Sequence, residues 1–359
     1  MSEVQRLAFP PRSQFFSALK SRVDGYFTER GLAQTGNARL YLKAVFALIL
    51  TLGSYAMLVW GVEHWWSAAL AALVLVQSMA LLAFSVMHDG CHGSFSQKRW
   101  LNWVAGAMMD VMGSSNVLWR QKHNLLHHTY TNVDGRDDDI CIGALLRLSP
   151  NQPRHRVHRF QHWYAPALYS LLSLYLLLYS DWQRMFSGKI GETPMQARQW
   201  WEWPYFLFSK AFYIAYALIV PMLYHPVWQV LLVFIGIHLV FGLTLSIVFQ
   251  LAHIVPETEF PGPAEGGKMP YEWAEHQLRT TANFAVGKPL ATFYTGGLNY
   301  QVEHHLFHKV SHVHYPAISR IVRDTCAEYD IRYLDSGSTW QALAAHFRFL
   351  RQMGHPSAA

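Results

Sequence analysis

Four long stretches of this chain carry almost no charge, and they restrict its fold more than any other feature. Leu42–Gly61, Trp66–Met87, Tyr205–Tyr224 and Val227–His253 each match the length of about 20 mostly apolar residues that crosses a hydrocarbon core. In lipid, backbone N–H and C=O groups must be bonded internally, so isolated runs of this length read as α-helices. Only 14% of all residues are Asp, Glu, Lys or Arg, against roughly 25% in an ordinary soluble domain. Trp100–Asn116 and Trp163–Tyr179 are also apolar but shorter, as re-entrant or interfacial segments are.

The basic residues predict how the runs are threaded, because Lys and Arg collect in cytoplasmic loops. None lies between the first two runs or between the last two; they gather at the N-terminus, in the central segment, in the C-terminal third and at span edges. All three regions then face one side, which predicts two helical hairpins with very short loops opposite and a cytoplasmic basic face. A fifth span at Trp163–Tyr179 would carry Arg184, Lys189 and Arg198 across the membrane and reverse the last two spans. We therefore read that segment and Trp100–Asn116 as interfacial helices, with Asp110 and Arg184 favouring the interface. The expected architecture is an all-α integral membrane protein: a cytoplasmic N-terminal segment (1–41), a membrane domain (42–327) with a cytoplasmic cap, and a cytoplasmic tail (328–359).

Met1–Arg39 holds six Arg or Lys and no apolar core, unlike a secretory signal, so the first span does the targeting. No internal repeat is visible, and Pro256–Gly267 reads as a local loop. Cys91, Cys141 and Cys326 are odd in number and far apart, which argues against a disulfide framework and fits a reducing compartment. In a membrane protein a net charge of +6 reports orientation rather than a nucleic-acid partner.

Twenty histidines are far above expectation for this length, and many are clustered: His88-Asp-Gly-Cys-His92, His123-Asn-Leu-Leu-His127-His128, and Gln301-Val-Glu-His304-His305. Helical residues three or four apart share a face, so each cluster offers two or three imidazoles to one point. In the four-span arrangement all three clusters lie on the cytoplasmic side, where His253 also emerges. One such pair is ordinarily just hydrogen-bonded; three on one side predict a shared metal centre. Eight histidines and Gln301 suffice for two metals with positions left open for dioxygen. Imidazole without nearby thiolates argues against structural zinc or iron–sulfur sites, and an iron pair is the choice that can attack an unactivated C–H bond. His155, His158 and His162 read instead as part of a basic interfacial face, His238 as an interior hydrogen-bonded histidine, and His308, the nearest of His308, His312 and His314, as a candidate ligand or support.

In the order and spacing of these clusters the chain resembles the membrane fatty acid desaturases, with their boxes H-x-x-x-H, H-x-x-x-H-H or H-x-x-H-H, and [HQ]-x-x-H-H. The likeness covers roughly residues 42–327. His127-His128-Thr-Tyr-Thr-Asn-Val-Asp-Gly and Gly296-Gly-Leu-Asn-Tyr-Gln-Val-Glu-His-His-Leu-Phe307 are similar to front-end and related acyl-lipid or acyl-CoA desaturases, where a Gln opens the third box. The resemblance implies a di-iron site built from His88, His92, His123, His127, His128, His253, His304 and His305, with Gln301 at or near the metal. It implies a cis double bond placed in a fatty acyl chain with dioxygen as co-substrate, position being set by an apolar tunnel for which Trp119 and Phe293 are candidate lining. Asp89, Asp137, Asp138, Asp139 and Glu303 are candidates to orient the imidazoles.

Two departures stand out. The His-Pro-Gly-Gly string of a fused cytochrome is missing, so a separate donor is expected, a ferredoxin or a small haem cytochrome with its reductase, and a bacterial inner membrane is the expected location. His308 stands where the family usually has Pro, which with the missing cytochrome string sets the front-end regiochemistry apart from the iron chemistry. Arg120, Lys122, Arg154 and Arg156 would hold a phosphate-bearing headgroup or dock an acidic ferredoxin. The competing functions are a di-iron lipid hydroxylase or ketolase, which would use the same ligands, and a membrane haem or metal carrier, to which adjacent His pairs at the helix ends are poorly suited.

Overall fold

The computed structural model describes residues 7–356; the outer ends of the predicted N-terminal segment and tail, residues 1–6 and 357–359, lie outside the described residues. Among the described residues four helices are long and apolar enough to cross a membrane: Ala38–Gly61, Trp65–His92, Glu202–Met222 and Val227–His253. The fourth has the expected bounds. The first begins four residues early because the Asn37 side chain caps it, accepting from the Arg39 N–H at 3.0 Å. The second runs past the expected end at Met87 to His92, where Gly93 in the left-handed region (φ 76°) stops it. A charge at Asp89 does not break this helix because the buried carboxylate accepts from Ser311 Oγ at 2.6 Å and His312 Nδ1 at 2.9 Å. The first histidine cluster is therefore the helix's own last turn, not a segment after it. The third helix tolerates the buried Lys210 for a similar reason, as its ammonium donates to Asp181 and to the Gly113 carbonyl, each at 2.7 Å.

The second helix is the axis of the molecule, 72% buried over its apolar window against 28%, 22% and 28% for the others. Residues 62–64 join it to the first helix, which packs along it, and the fourth helix packs on another of its sides. The segment expected to be interfacial at Trp163–Tyr179 forms Gln161–Ser170, Leu172–Tyr175 and Leu176–Ser180, continued by Asp181–Ser187. It lies against the fourth helix so closely that a Cβ on Gly242 would fall 2.4 Å from the Ser170 carbonyl oxygen. Trp163, Leu178 and Phe186 point outward and exposed. Trp100–Asn116 is likewise broken, into Arg99–Gly106 and Met108–Val111, with Trp100 and Trp103 exposed. Strand is confined, among the described residues, to Lys189–Ile190 paired antiparallel with Thr193–Pro194.

Four shorter helices, Gln14–Glu29, Trp273–Thr280, Gln301–Leu306 and Tyr315–Glu328, pack on one another, and Ser311 and His312 between the last two bond Asp89 in the final turn of the second helix. Gln14–Glu29 buries Phe15, Phe16, Leu19, Val23 and Phe27 at helical spacing. These residues share one core with Leu278, Val302, Leu306, Ile318 and Val322, drawn from Trp273–Thr280, Gln301–Leu306 and Tyr315–Glu328. That core sets the height of the third histidine cluster relative to the first.

Candidate metal centre

Each cluster reaches the centre on an element whose geometry aims it. His88 and His92 are one α-helical turn apart at the end of the second helix. The second cluster occupies a wide π turn, Gln121–His127, in which the His128 N–H donates to the His123 carbonyl five residues back, at 3.1 Å. Widening the turn by one residue brings His128 as well as His127 back beside His123. The third cluster lies on Gln301–Leu306, entered through Gly296 and Gly297, both with positive φ. Gly296 rests on the second helix, where a Cβ would fall 2.2 Å from the Phe84 carbonyl oxygen. His253 arrives as the last residue of the fourth helix.

The imidazoles converge as two groups, linked through His123 and His127, whose ligating atoms also lie within 4.8 Å of each other and of an Asp139 oxygen. One ligating atom from each of His88, His92, His123 and His304 lies within 4.8 Å of the others, and the same holds for His127, His253 and His305. His128 stands between the groups: its Nε2 is 3.1 Å from His123 Nε2, and its ring centroid is 4.6 Å from His304 and 4.4 Å from His305. All eight are buried.

Outer partners turn the rings so that Nε2 faces inward. His127 Nδ1 donates to the Asp137 carboxylate at 3.1 Å, His253 Nδ1 to the Thr280 carbonyl at 3.2 Å, and His305 Nδ1 to Gln277 Oε1 at 2.8 Å. His304 Nδ1 pairs with the Tyr315 hydroxyl at 3.1 Å. The inward atoms are left over: Nε2 of His88, His92, His304 and His305 is buried without a hydrogen-bond partner among the described residues. Buried polar atoms are rarely orphaned, and unpartnered imidazole nitrogens in both groups, from His88, His92 and His304 in one and His305 in the other, fit bound cations. Burial first, then mutual repulsion among neighbouring imidazoles, holds His123, His128, His304 and His305 well below the ordinary histidine range. They are neutral at physiological pH, the form that ligates metal. His127 goes the other way: burial lowers its pKa, but Asp137 and then Asp139 outweigh burial and raise it.

The other residues singled out in the sequence are distributed as follows. Gln301 is buried one turn before His304, its Oε1 unpartnered. His308 lies with its ring centroid 5.4 Å from His92 and 5.0 Å from His128, and its Nδ1 is also unpartnered. Of the five acids, Asp137 holds a cluster histidine, whereas Asp139 reaches His127 at 3.4 Å while paired with Lys122. Asp138 pairs with Arg184 at 2.6 Å. Glu303 turns its back on the centre and accepts from Asn283 and Tyr333, each at 2.8 Å. Trp119 stacks on His123 at 4.2 Å between ring centroids, whereas Phe293 is 44% exposed and covers Lys43. His238 is, as expected, an interior histidine, bonded to Ser173 and Tyr213. His158 is buried and donates to the Ala144 carbonyl at 2.8 Å, so it is part of the packing rather than of a solvated face. Gln277, Tyr315 and Thr280 were not legible as supports, because each is distant in sequence from the histidine it orients.

Comparison with known proteins decides the family. The profile of the fatty acid desaturase family matches residues 63–337. The chain belongs to the fatty acid desaturase family. A sn-1 linoleoyl-lipid 6-desaturase of Synechocystis sp. is 34% identical over 99% of this chain and 100% of its own length. An acyl-lipid (8-3)-desaturase of Physcomitrium patens is 36% identical over 95% of this chain and 72% of its own. Arthrospira platensis has a sn-1 linoleoyl-lipid 6-desaturase at 32% identity over 98% and 96%. This desaturase is thus an oxidoreductase acting on fatty acyl chains, from a family that uses iron, with buried histidine groups able to hold metal and four helices able to span a membrane.

Proposed function

We propose that the desaturase introduces a cis double bond into the acyl chain of a membrane glycerolipid, at a di-iron centre held by the eight converging histidines with Gln301 beside it. The observation that carries this reading is the pair of histidine groups, with His128 between them and four inward nitrogens unpartnered. His88, His92, His123 and His304 would hold one iron, His127, His253 and His305 the other, and His128 stands where it can serve either. Iron bound there would supply the reduction of dioxygen and the oxidising power needed for the two C–H bonds. The balance is one –CH2–CH2– unit, dioxygen, two electrons and two protons to one –CH=CH– unit and two waters.

The chain's own residues do the positioning. An alkyl chain offers no polar handle, so selectivity rests on holding one methylene pair beside the metals. Trp119, in contact with His88, His92 and His123, opens from the centre into an apolar cluster of Met87, Met109, Met112, Phe241 and Val248. Unbranched methionines repack readily, which suits a path filled by side chains until an acyl chain enters. Two hairpins with the histidine layer on the cytoplasmic side of a bacterial inner membrane, and a separate ferredoxin or cytochrome as donor, complete the reading. The acyl-lipid names of the relatives support a lipid-bound substrate.

The test is the fatty acid profile, by gas chromatography and mass spectrometry, of a host expressing the wild type beside one expressing His304→Ala. New double bonds that vanish in the variant are expected. Hydroxylated or ketonic lipid instead would keep the iron centre and overturn the named reaction.

A further inference from the structure

Gln77 is the single residue of Trp66–Met87 more polar than serine, and it meets a partner outside the second helix: the Tyr294 hydroxyl donates to Gln77 Oε1. A polar side chain within an apolar span is disfavoured unless it bonds across to another element, so the pair holds two elements together. Tyr294 ends the short helix Pro289–Tyr294, every residue of which is at least partly exposed. That helix does not lie flush on the fourth helix. Between them is a mainly apolar cavity of about 360 Å3, walled by Leu243, Ile247, Val248 and Leu251 on the fourth helix and by Ala291 and Tyr294 on the short one.

The depth of the cavity follows from its wall. Leu251 stands two residues before His253 and Leu243 ten. At 1.5 Å per residue the cavity runs from about 3 to about 15 Å from His253 along the helix axis, the depth of one leaflet of a roughly 30 Å hydrocarbon core. Leu290, beside Ala291, and Trp340, beside the lining Thr339, are each 79% exposed, so the rim on the outer side offers apolar groups to lipid. The inner side leads to the metal centre. Tyr294 packs on Phe84 with ring centroids 6.2 Å apart, and Phe84 is one helical turn before His88. Val248 shares an apolar cluster with Met87, Met109 and Met112, against which Tyr294 also packs.

We propose that this cavity admits one alkyl tail of a bilayer lipid from the side, and that Tyr294, latched to Gln77, is the door between the cavity and the metal centre. The occupant is an alkyl tail because the walls are mainly hydrocarbon and the cavity lies at the depth of the tails. While the hydroxyl is bonded to Gln77, the Tyr294 ring stays against Phe84 and the methionine cluster is closed off. When that bond breaks, the ring turns away and the tail passes inward beside Phe84. Tyr294 touches no reacting atom and acts by gating alone. The inference rests on the desaturase reading and adds to it the side from which substrate enters and the residue that controls entry.

The test is photolabelling of the iron-loaded full chain in phosphatidylcholine nanodiscs containing a phosphatidylcholine with a diazirine midway along one tail, the labelled peptides being identified by mass spectrometry. Label on Leu243–Leu251 should exceed that on Leu231 and Leu232, which are exposed on the same helix, and label on Phe84–Met87 reports passage inward. Tyr294→Phe and Gln77→Leu each remove the latch and should raise the inward label about two- to tenfold, the worth of one hydrogen bond. Ala291→Trp fills the cavity and should abolish both labels while Leu231 and Leu232 label as in wild type. Ile247→Trp fills it from the opposite wall and repeats the test should the first variant not fold. Cavity label that survives the filling variant, or inward label that neither latch variant moves, would overturn the proposal. Labelling is read without turnover: a tail in the cavity of a chain that makes no double bonds would keep the door and overturn the desaturase reading, and double bonds without cavity label would do the reverse.

Discussion

Replacing Asp137 by Asn separates the two histidine groups. The Asp137 carboxylate is fully buried, accepts from His127 Nδ1, and also holds the backbone N–H groups of Asn132 and Asp139 at 2.9 and 3.0 Å. In the group of His127, His253 and His305 the other two rings lean on neutral acceptors, Thr280 and Gln277. The amide can still accept from His127 but no longer supplies the nearer of two charges that strengthen this imidazole as a ligand, leaving Asp139 at 3.4 Å, itself paired with Lys122. Loss of such support lowers metal affinity about 10- to 100-fold, or about 1.4–2.8 kcal/mol at one site. The group of His88, His92, His123 and His304 does not touch Asp137 and should keep its affinity. Competition with a chelator, read by elemental analysis of the protein fraction, should therefore change from one release step to two, with half the iron leaving at 10- to 100-fold lower chelator concentration. Glu303→Gln is the matched control. Glu303 adjoins His304 in sequence but faces Asn283 and Tyr333, and burial pushes its carboxyl up to about 7, so a neutral side chain suits the site and iron release should not change. If both irons leave Asp137→Asn together, or if Glu303→Gln loses iron as readily, the division into two groups is wrong.

Three further outcomes follow from the packing. Asp181→Asn leaves the Lys210 ammonium buried without its counter-charge and should cost about 3–5 kcal/mol, seen as a clear fall in the melting temperature in detergent; an unchanged melt would mean the pair contributes nothing. Gly296→Ala combines a positive φ with a Cβ only 2.2 Å from the Phe84 carbonyl oxygen and should abolish folded protein on size exclusion, whereas Gly53→Ala, with open space around it, should behave as wild type. Burial pushes the Asp110 carboxyl up to about 6, above the ordinary value of about 3.9. The stability this group contributes is present below pH ~3.9 and lost as pH rises through about 6, and Asp110→Asn should flatten that part of the melting profile.

The four long apolar helices were legible because length and lack of charge are properties of continuous sequence, and the first cluster because helical spacing brings His88 and His92 to one face. What escaped the sequence was every feature depending on a distant partner. The second helix ran five residues past its expected end because Ser311 and His312 satisfy Asp89. The lysine inside the third helix is acceptable only because Asp181 meets it from another segment. Asp137 was one of five acids near the clusters, and nothing local distinguished it from Glu303, which turns away. The wide turn at Gln121–His127 was hidden for a different reason: an α turn and a π turn share one amino-acid vocabulary, and only His127-His128 side by side hints that both rings must reach the same centre.

The most direct test of the whole account is the metal itself, counted by elemental analysis and characterised by Mössbauer spectroscopy in the iron-loaded wild-type chain and in His128→Ala. Two irons per chain, magnetically coupled in the wild type and altered at both irons when the histidine between them is removed, are predicted. One metal per chain, or two irons that ignore the loss of His128, would contradict a di-iron centre in this position.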